Sequence, residues 1–200
     1  MLVPDASEWV GASECSVGLV PSPLESQPSV YVRESWARRR RGDVREVRVR
    51  ALVGSDGVAV RLDWAAPSPQ RRIDDWDVYA DGCGVLFPSD GRSAEIETMG
   101  SARKPVEGWF WRAGTESAFQ VTARGLGTVE RAGEHGVRAS WLWDGGRWQV
   151  VLGRGFGAGG VGLSVGSRLP VGFAVWCGAA KERAGLKSYS PRWCELALGG

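Results

Sequence analysis

The sequence predicts an all-β protein, an antiparallel β-sandwich with few or no helices. Three observations lead there. The 200 residues include 11 Trp, 29 Gly and many Val, a composition that favours strands and tight turns over helices. The apolar positions recur with period two rather than 3.6. Turn signals separate many short apolar stretches, with no internal repeat and no convincing amphipathic helix.

Residues 1–30 read as an irregular lead-in, because Pro4, Pro21, Pro23 and Pro28 interrupt regular structure. They carry Asp5, Glu8, Glu14 and Glu25 and no Lys or Arg, whereas residues 31–50 carry eight Arg, including Arg38-Arg39-Arg40-Arg41. Such a run suits an acidic partner or a phosphate backbone; the plain alternative is a solvated arm. Residues 1–43 are therefore expected to form a partner-contacting arm, and residues 44–200 the sandwich. Val47, Val49, Ala51 and Val53 alternate along one strand. Gly54-Ser-Asp-Gly57 turns the chain, and Val58, Val60, Leu62 and Trp64 line a second strand, giving a hairpin. Residues 77–87 read as a strand region, and 95–100 and 108–113 as short strands. Residues 114–134 show no clear period. Strands at 137–143 and 147–152 flank Asp144-Gly-Gly146, a strong hairpin signal. A Gly-rich loop over 153–167 precedes strands at 171–177 and 193–198.

Net charge is +2, so no global field favours nucleic acid or a membrane surface. No stretch is long and apolar enough to span a bilayer. The N-terminus lacks the basic and apolar regions of a signal peptide. Cys15, Cys83, Cys177 and Cys194 form no C-x-x-C pair, which argues against zinc, iron–sulfur and covalent c-type haem sites. Two buried thiols are expected at Cys177 and Cys194 rather than a disulfide. Gly155-Phe-Gly157-Ala-Gly-Gly160 matches G-x-G-x-x-G, but a dinucleotide site needs a helix next, and Val161-Gly-Leu-Ser-Val-Gly-Ser167 has no helical character. His135, the one histidine, sits in an apparent turn without a nucleophile-elbow motif.

Two residue types stand out by scarcity. Lys occurs only at 104, 181 and 187, against twenty-two Arg, and Met only at 1 and 99. Lys can lose its proton and offer a lone pair, which Arg effectively cannot. Taken singly, Lys187 is an ordinary loop lysine and Met99 a core filler.

Five ordered stretches change that balance. They are Val47-Arg-Val-Arg-Ala-Leu with Val58-Ala-Val-Arg-Leu-Asp-Trp64; Asp81-Gly-Cys-Gly-Val-Leu-Phe-Pro88; Thr98-Met-Gly100 with Trp109-Phe-Trp-Arg-Ala113; Trp143-Asp-Gly-Gly-Arg-Trp148; and Phe173-Ala-Val-Trp176 with Gly185-Leu-Lys187 and Trp193. Together, over about residues 44–198, they resemble the haem b-binding γ subunits of the ethylbenzene dehydrogenase, dimethyl sulfide dehydrogenase, selenate reductase and chlorate reductase family. Cys177, where the family commonly has an acidic residue, and the Arg-rich arm depart from it. The resemblance implies one haem b held between Met99 and Lys187 as axial ligands of the iron. It implies a non-catalytic electron-transfer subunit of an oxidoreductase complex, with no catalytic residues of its own. The partners so implied are an iron–sulfur β subunit, a molybdenum-containing α subunit, which hold the Fe–S clusters and molybdenum cofactor, and a soluble cytochrome or similar carrier. It also implies the periplasm, while the lack of a visible signal peptide leaves the cytoplasm open. The rival expectation is a haem-free carbohydrate- or small-ligand-binding sandwich, with Trp stacking on sugar rings.

Overall fold

A computed structural model describes residues 3–73 and 78–199. Two antiparallel sheets face each other, as the period-two pattern predicts. The first contains β1 (Glu14–Gly18), β3 (Glu46–Val53), β4 (Gly57–Ala65), β10 (Arg147–Gly155) and β9 (Arg138–Asp144), in that order. The second runs β2 (Val20–Pro21), β12 (Ser188–Tyr189), β11 (Arg168–Trp176), β5 (Gly82–Pro88), β6 (Val106–Arg112), β7 (Phe119–Ala123) and β8 (Glu130–Arg131), with β13 (Cys194–Ala197) also paired to β11. The core lies between them. Val47 and Val49 of β3, Val58, Val60, Leu62 and Trp64 of β4, and Trp148, Val150 and Leu152 of β10 meet Cys83, Val85 and Phe87 of β5, Trp109 and Trp111 of β6, and Phe173 and Val175 of β11.

The expected hairpins form. Gly54 and Gly57 close the β3–β4 turn, the Gly54 N–H donating to the Gly57 carbonyl at 2.9 Å. Gly145 and Gly146 join β9 to β10 with φ of 53° and 78°, the left-handed pair that suits a tight hairpin between twisted strands. The cysteines of the described residues are free thiols. The G-x-G-x-x-G stretch is a loop, and its last glycine has a structural reason. Gly160, at φ 110°, lies against the Glu107 carboxylate. That carboxylate is buried in an ion pair with Arg154 at 2.8 Å and accepts the Val161 amide at 2.6 Å.

Several expectations change. The first 43 residues are not set apart from the sandwich. β1 pairs with β3 from Glu14↔Arg50 to Gly18↔Glu46, and β2 pairs with β12. Each is an edge strand, so neither needs two apolar faces: β1 buries Val17 alone, and Pro21, lacking an N–H, sits where no further partner is required. The one α-helix among the described residues, α1 (Val30–Trp36), follows. Ser29 caps it by accepting the Val32 amide, and Trp36 anchors its last turn. Residues 95–100 form a turn rather than a strand, and the aperiodic 114–134 stretch contains β7 and β8. Part of the strand region expected over 77–87 lies outside the described residues; within them, β5 begins at Gly82.

Candidate functional site

The site lies on the outer face of the second sheet, away from the inter-sheet core. Strand alternation builds its floor. β5 turns Cys83, Val85 and Phe87 inward and leaves Gly82, Gly84 and Leu86 outward; β6 turns Trp109 and Trp111 inward and leaves Gly108 and Phe110 outward. Strand register aligns these positions in rows: Arg112–Gly82–Trp176, then Phe119–Phe110–Gly84–Ala174–Tyr189, then Val121–Gly108–Leu86–Gly172. Three glycines at the centre remove the side chains that would otherwise stand on the sheet, which lets a ligand approach the backbone closely. The resulting cavity is about 510 Å³, within the roughly 300–1,000 Å³ range of small-molecule and cofactor sites. Phe110 and Trp176 meet edge-on at 4.9 Å and Phe110 and Phe119 tilt together at 4.7 Å, so a connected aromatic cluster forms part of its wall.

Two loops bring Met99 and Lys187, eighty-eight residues apart in sequence, into contact over this floor. Lys187 Nζ donates to Met99 Sδ at 3.1 Å. Met99 stands in a turn in which its own N–H reaches the Ile96 carbonyl and the Gly100 N–H reaches the Glu95 carbonyl at 2.7 Å. Its φ is 57°, a left-handed conformation that a side chain of this size adopts only when its surroundings impose it. The non-glycine residues of positive φ among the described residues are Met99, Lys181 and Ala184. All three lie in the loops that carry Met99 and Lys187. Among the described residues, left-handed non-glycine backbone is thus confined to these two loops.

Lys187 is 5% exposed. Its ammonium lies 5.4 Å from the centre of the Trp176 ring and has a weak thioether acceptor rather than a carboxylate. Burial therefore pushes its pKa down from the ordinary 10.5 to about 8. The backbone around it is tightly clasped. Ser22 Oγ donates to the Gly185 carbonyl at 2.6 Å, the Ser22 N–H donates to the Lys187 carbonyl at 2.9 Å, and the Lys187 N–H returns to Ser22 Oγ at 3.3 Å. Gln27 Nε2 also reaches the Gly185 carbonyl. Glu182 is buried and accepts the amides of Gly42 at 2.6 Å, Asp43 at 3.2 Å and Cys177 at 2.9 Å. Desolvation raises its pKa, with these three amides pulling the other way.

The two residues singled out by the sequence are thus brought together, and His135 is not among the residues lining this cavity. Among the described residues no group of three His, Cys, Asp or Glu side chains is placed to hold a metal ion, and no helix is long and apolar enough to cross a membrane. Sequence reasoning missed the glycine floor, although the run Gly82-Cys-Gly-Val-Leu-Phe87 carries its signal: alternation with glycine on one face and bulk on the other. It also missed Ser22 and Gln27, whose bonds span up to 165 residues and leave no local pattern.

Known proteins resemble this chain in sequence. A protein of Haloferax mediterranei, provisionally named respiratory nitrate reductase heme subunit ORF7, is 30% identical over 92% of this chain and 65% of its own length. Chlorate reductase subunit gamma of Ideonella dechloratans is 32% identical over 73% of this chain and 62% of its own. Dimethylsulfide dehydrogenase subunit gamma of Rhodovulum sulfidophilum is 27% identical over 95% and 72%. The chain therefore spans just under two thirds of the first two relatives. Among solved structures, a family 9 carbohydrate-binding module of Caldicellulosiruptor kristjanssonii in complex with cellotriose aligns with 100% of this chain and 89% of its own, at 6% identity and a TM-score of 0.49. That likeness is too low to bear on ligand or function. The family model described as Ethylbenzene dehydrogenase matches residues 9–141, a span that includes Met99 and ends before Lys187. That match covers more than half of the 200 residues, and the chain belongs to the ethylbenzene dehydrogenase family.

Proposed function

We propose that this chain is a non-catalytic electron-transfer subunit that holds one haem b between Met99 and Lys187. It would relay electrons between the iron–sulfur subunit of a molybdenum oxidoreductase complex and an external carrier such as a soluble cytochrome. The single observation that carries the reading is the contact of a thioether with a buried amine over an apolar, glycine-floored cavity. The names of the relatives, a heme subunit of a nitrate reductase and γ subunits of chlorate reductase and dimethylsulfide dehydrogenase, support it.

The residues present fit such a group. A haem held by these two donors would need the sulfur and the nitrogen to part from their 3.1 Å contact. Both side chains are long and unbranched and can supply that movement. The group would supply a one-electron redox centre, with its potential raised by the thioether. The protein's own part is preparation. Desolvation draws the Lys187 amine toward its neutral, lone-pair-bearing form. The clasp from Ser22, Gln27 and Glu182 fixes the lysine's backbone, and the left-handed turn fixes that of Met99. Phe110, Phe119 and Trp176 keep water from the floor, which tunes the potential of a buried redox centre.

Lys187→Arg tests the assignment, because guanidinium keeps its proton. After haem reconstitution the wild type should give a six-coordinate low-spin spectrum by resonance Raman and magnetic circular dichroism, and the Arg variant should lose it. An unchanged six-coordinate spectrum in the variant excludes Lys187 as a ligand.

A further inference from the structure

Two cysteines face each other at the edge of the sandwich where the chain crosses between sheets. Cys15 lies on β1, the edge strand of the first sheet. Val17 and Leu19 share its face by alternation and belong to the core. Its ladder partner Val49 is also a core residue. Glu14 takes the outer face and pairs there with Arg50 at 3.0 Å. Cys15 therefore faces the inter-sheet space, and it is exposed because it stands at the open edge. Cys194 begins β13, which pairs with β11 at the edge of the second sheet. It stands opposite Val171, a core residue, and is itself half-buried against the core.

The chain directions put both cysteines at one height. β1 runs through Leu19 into β2. β2 is antiparallel to β12, and β12 and β13 are both antiparallel to β11. β3, antiparallel to β1, thus runs the same way as β13. Gly199, just past β13, lies against Val53 at the end of β3: a Cβ on it would stand 4.0 Å from the Val53 Cβ. Five residues back along each strand are Cys194 and Arg48, and Arg48 adjoins the Val49 that pairs with Cys15. Facing sheets commonly stand about 10 Å apart. Here a single residue, Leu19, separates β1 from β2, so Gly18 and Val20 lie within about 7 Å and the sheets are pinched together. A disulfide needs Cα atoms within about that distance. Burial raises the pKa of the Cys194 thiol, and the charge of a Cys15 thiolate raises it further, so the two sulfurs are close enough to feel each other.

We propose that Cys15 and Cys194 form an oxidation site, a dithiol that closes to an inter-sheet disulfide on reaction with a small disulfide such as oxidised glutathione. The exposed Cys15, as thiolate, attacks one glutathione sulfur; the glutathione S–S bond breaks and the departing thiolate takes up a proton. Cys194 then gives up its proton and attacks the Cys15 sulfur, releasing the second glutathione as a thiol. Two protein thiols are oxidised, and one glutathione disulfide is reduced to two thiols. The bridge ties the first strand of the sandwich to the last and holds the open edge shut. Its loop spans most of the chain, the arrangement in which a cross-link restricts the unfolded state most. The other thiols are poorly placed to compete. Cys83 is buried in the core, and Cys177 lies six residues along from Val171, roughly 20 Å away at strand spacing. The site needs no bound cofactor and is independent of the haem reading.

The test uses the full apoprotein, reduced with dithiothreitol, desalted and incubated with oxidised glutathione. Remaining thiols are alkylated with N-ethylmaleimide, and the chain is mapped by mass spectrometry without reduction. Two of the four cysteines should escape alkylation in a monomeric chain, and one peptide pair should join Cys15 to Cys194. The bridged protein should melt about 5–15 °C above the reduced one, and dithiothreitol should reverse the shift. Cys15→Ser and Cys194→Ser should each lose the bridge and the shift, with Cys194→Ser stopping at a glutathione adduct on Cys15. A wild-type chain that stops at that adduct, dimerises through Cys15 or joins Cys194 to Cys177 overturns the proposal. So does a bridged chain that melts no higher than the reduced one.

Discussion

Replacing Lys187 by Met should make the apoprotein more stable, and the gain should vanish at high pH. The buried amine has an ordinary pKa of 10.5 and a value of about 8 in the folded protein. At ~1.4 kcal/mol per pH unit, keeping it charged in the fold costs about 3 kcal/mol. The sign follows from proton binding. Between pH 8 and 10.5 the unfolded chain holds the lysine proton more often than the folded one does, so stability rises with pH across that window. Below pH 8 the lysine is charged in both states and the full penalty applies; above 10.5 it has gone. The thiols act in the opposite direction. Cys177 is raised from 9 to about 11 and Cys83 is raised by burial, so their ionisation favours the unfolded chain as pH climbs. Comparing wild type with Lys187→Met at each pH cancels the thiols. Urea unfolding of both apoproteins at pH 7, 8, 9 and 10 should give a difference of about 3 kcal/mol at pH 7, or roughly 6–12 °C in Tm for a chain of this size. That difference should shrink steadily above pH 8. A difference that stays constant from pH 7 to 10 would falsify the burial argument. Because methionine can itself ligate a haem iron, Lys187→Met reads stability alone, and loss of amine ligation is read from Lys187→Arg.

Met99→His should retain a low-spin haem but lower its potential by on the order of 100 mV, since methionine ligation raises the potential; a potentiometric titration giving no decrease would count against Met99 as a ligand. Gly84→Val tests the floor. A Cβ there would stand 3.3 Å from the Trp109 carbonyl and 3.6 Å from Phe110, so the apoprotein should fold, while haem affinity should fall about tenfold or more through overpacking; equal affinity would mean that nothing lies over Gly84. Glu182→Ala leaves the Gly42, Asp43 and Cys177 amides without their acceptor, and chemical denaturation should show a loss of about 2–4 kcal/mol, with Glu182→Gln intermediate. Deleting residues 1–43 removes β1, β2 and the clasp, and should abolish haem binding in a Soret titration; full binding by the truncated protein would return those residues to the status of an arm.

Legibility from sequence divided along physical lines. The β3–β4 and β9–β10 hairpins were readable because their turns and alternation are local. So was the scarcity of Lys and Met, which drew attention to the two residues that meet in the structure. The edge strands β1 and β2 were not readable. A strand held by backbone bonds and one buried Val17 has no hydrophobic period, and prolines that suggested irregular structure turn out to sit at edges and loop ends. The left-handed turn at Met99 passed for a strand because Ile96 and Met99 are apolar at positions that no short motif distinguishes. Charge misled as well: the acidic start and the Arg run suggested a detached arm, while Gly42 and Asp43, beside that run, deliver their amides to Glu182 far along the chain.

The clasp on the Lys187 loop also sets an order of events in the cell. Its bonds join residues 158, 163 and 165 positions apart from the N-terminal side, and 140 and 139 through Glu182. A ribosome delivers Ser22 and Gln27 long before Gly185 and Lys187 exist, and contacts of such separation form late because the intervening loop must close first. During synthesis, β2 waits without β12, and the outer face of β5 and β6 stays bare of its lysine. The proposed axial pair is complete only once Lys187 has been made, so a nascent chain that lacks it could not hold a haem between Met99 and Lys187.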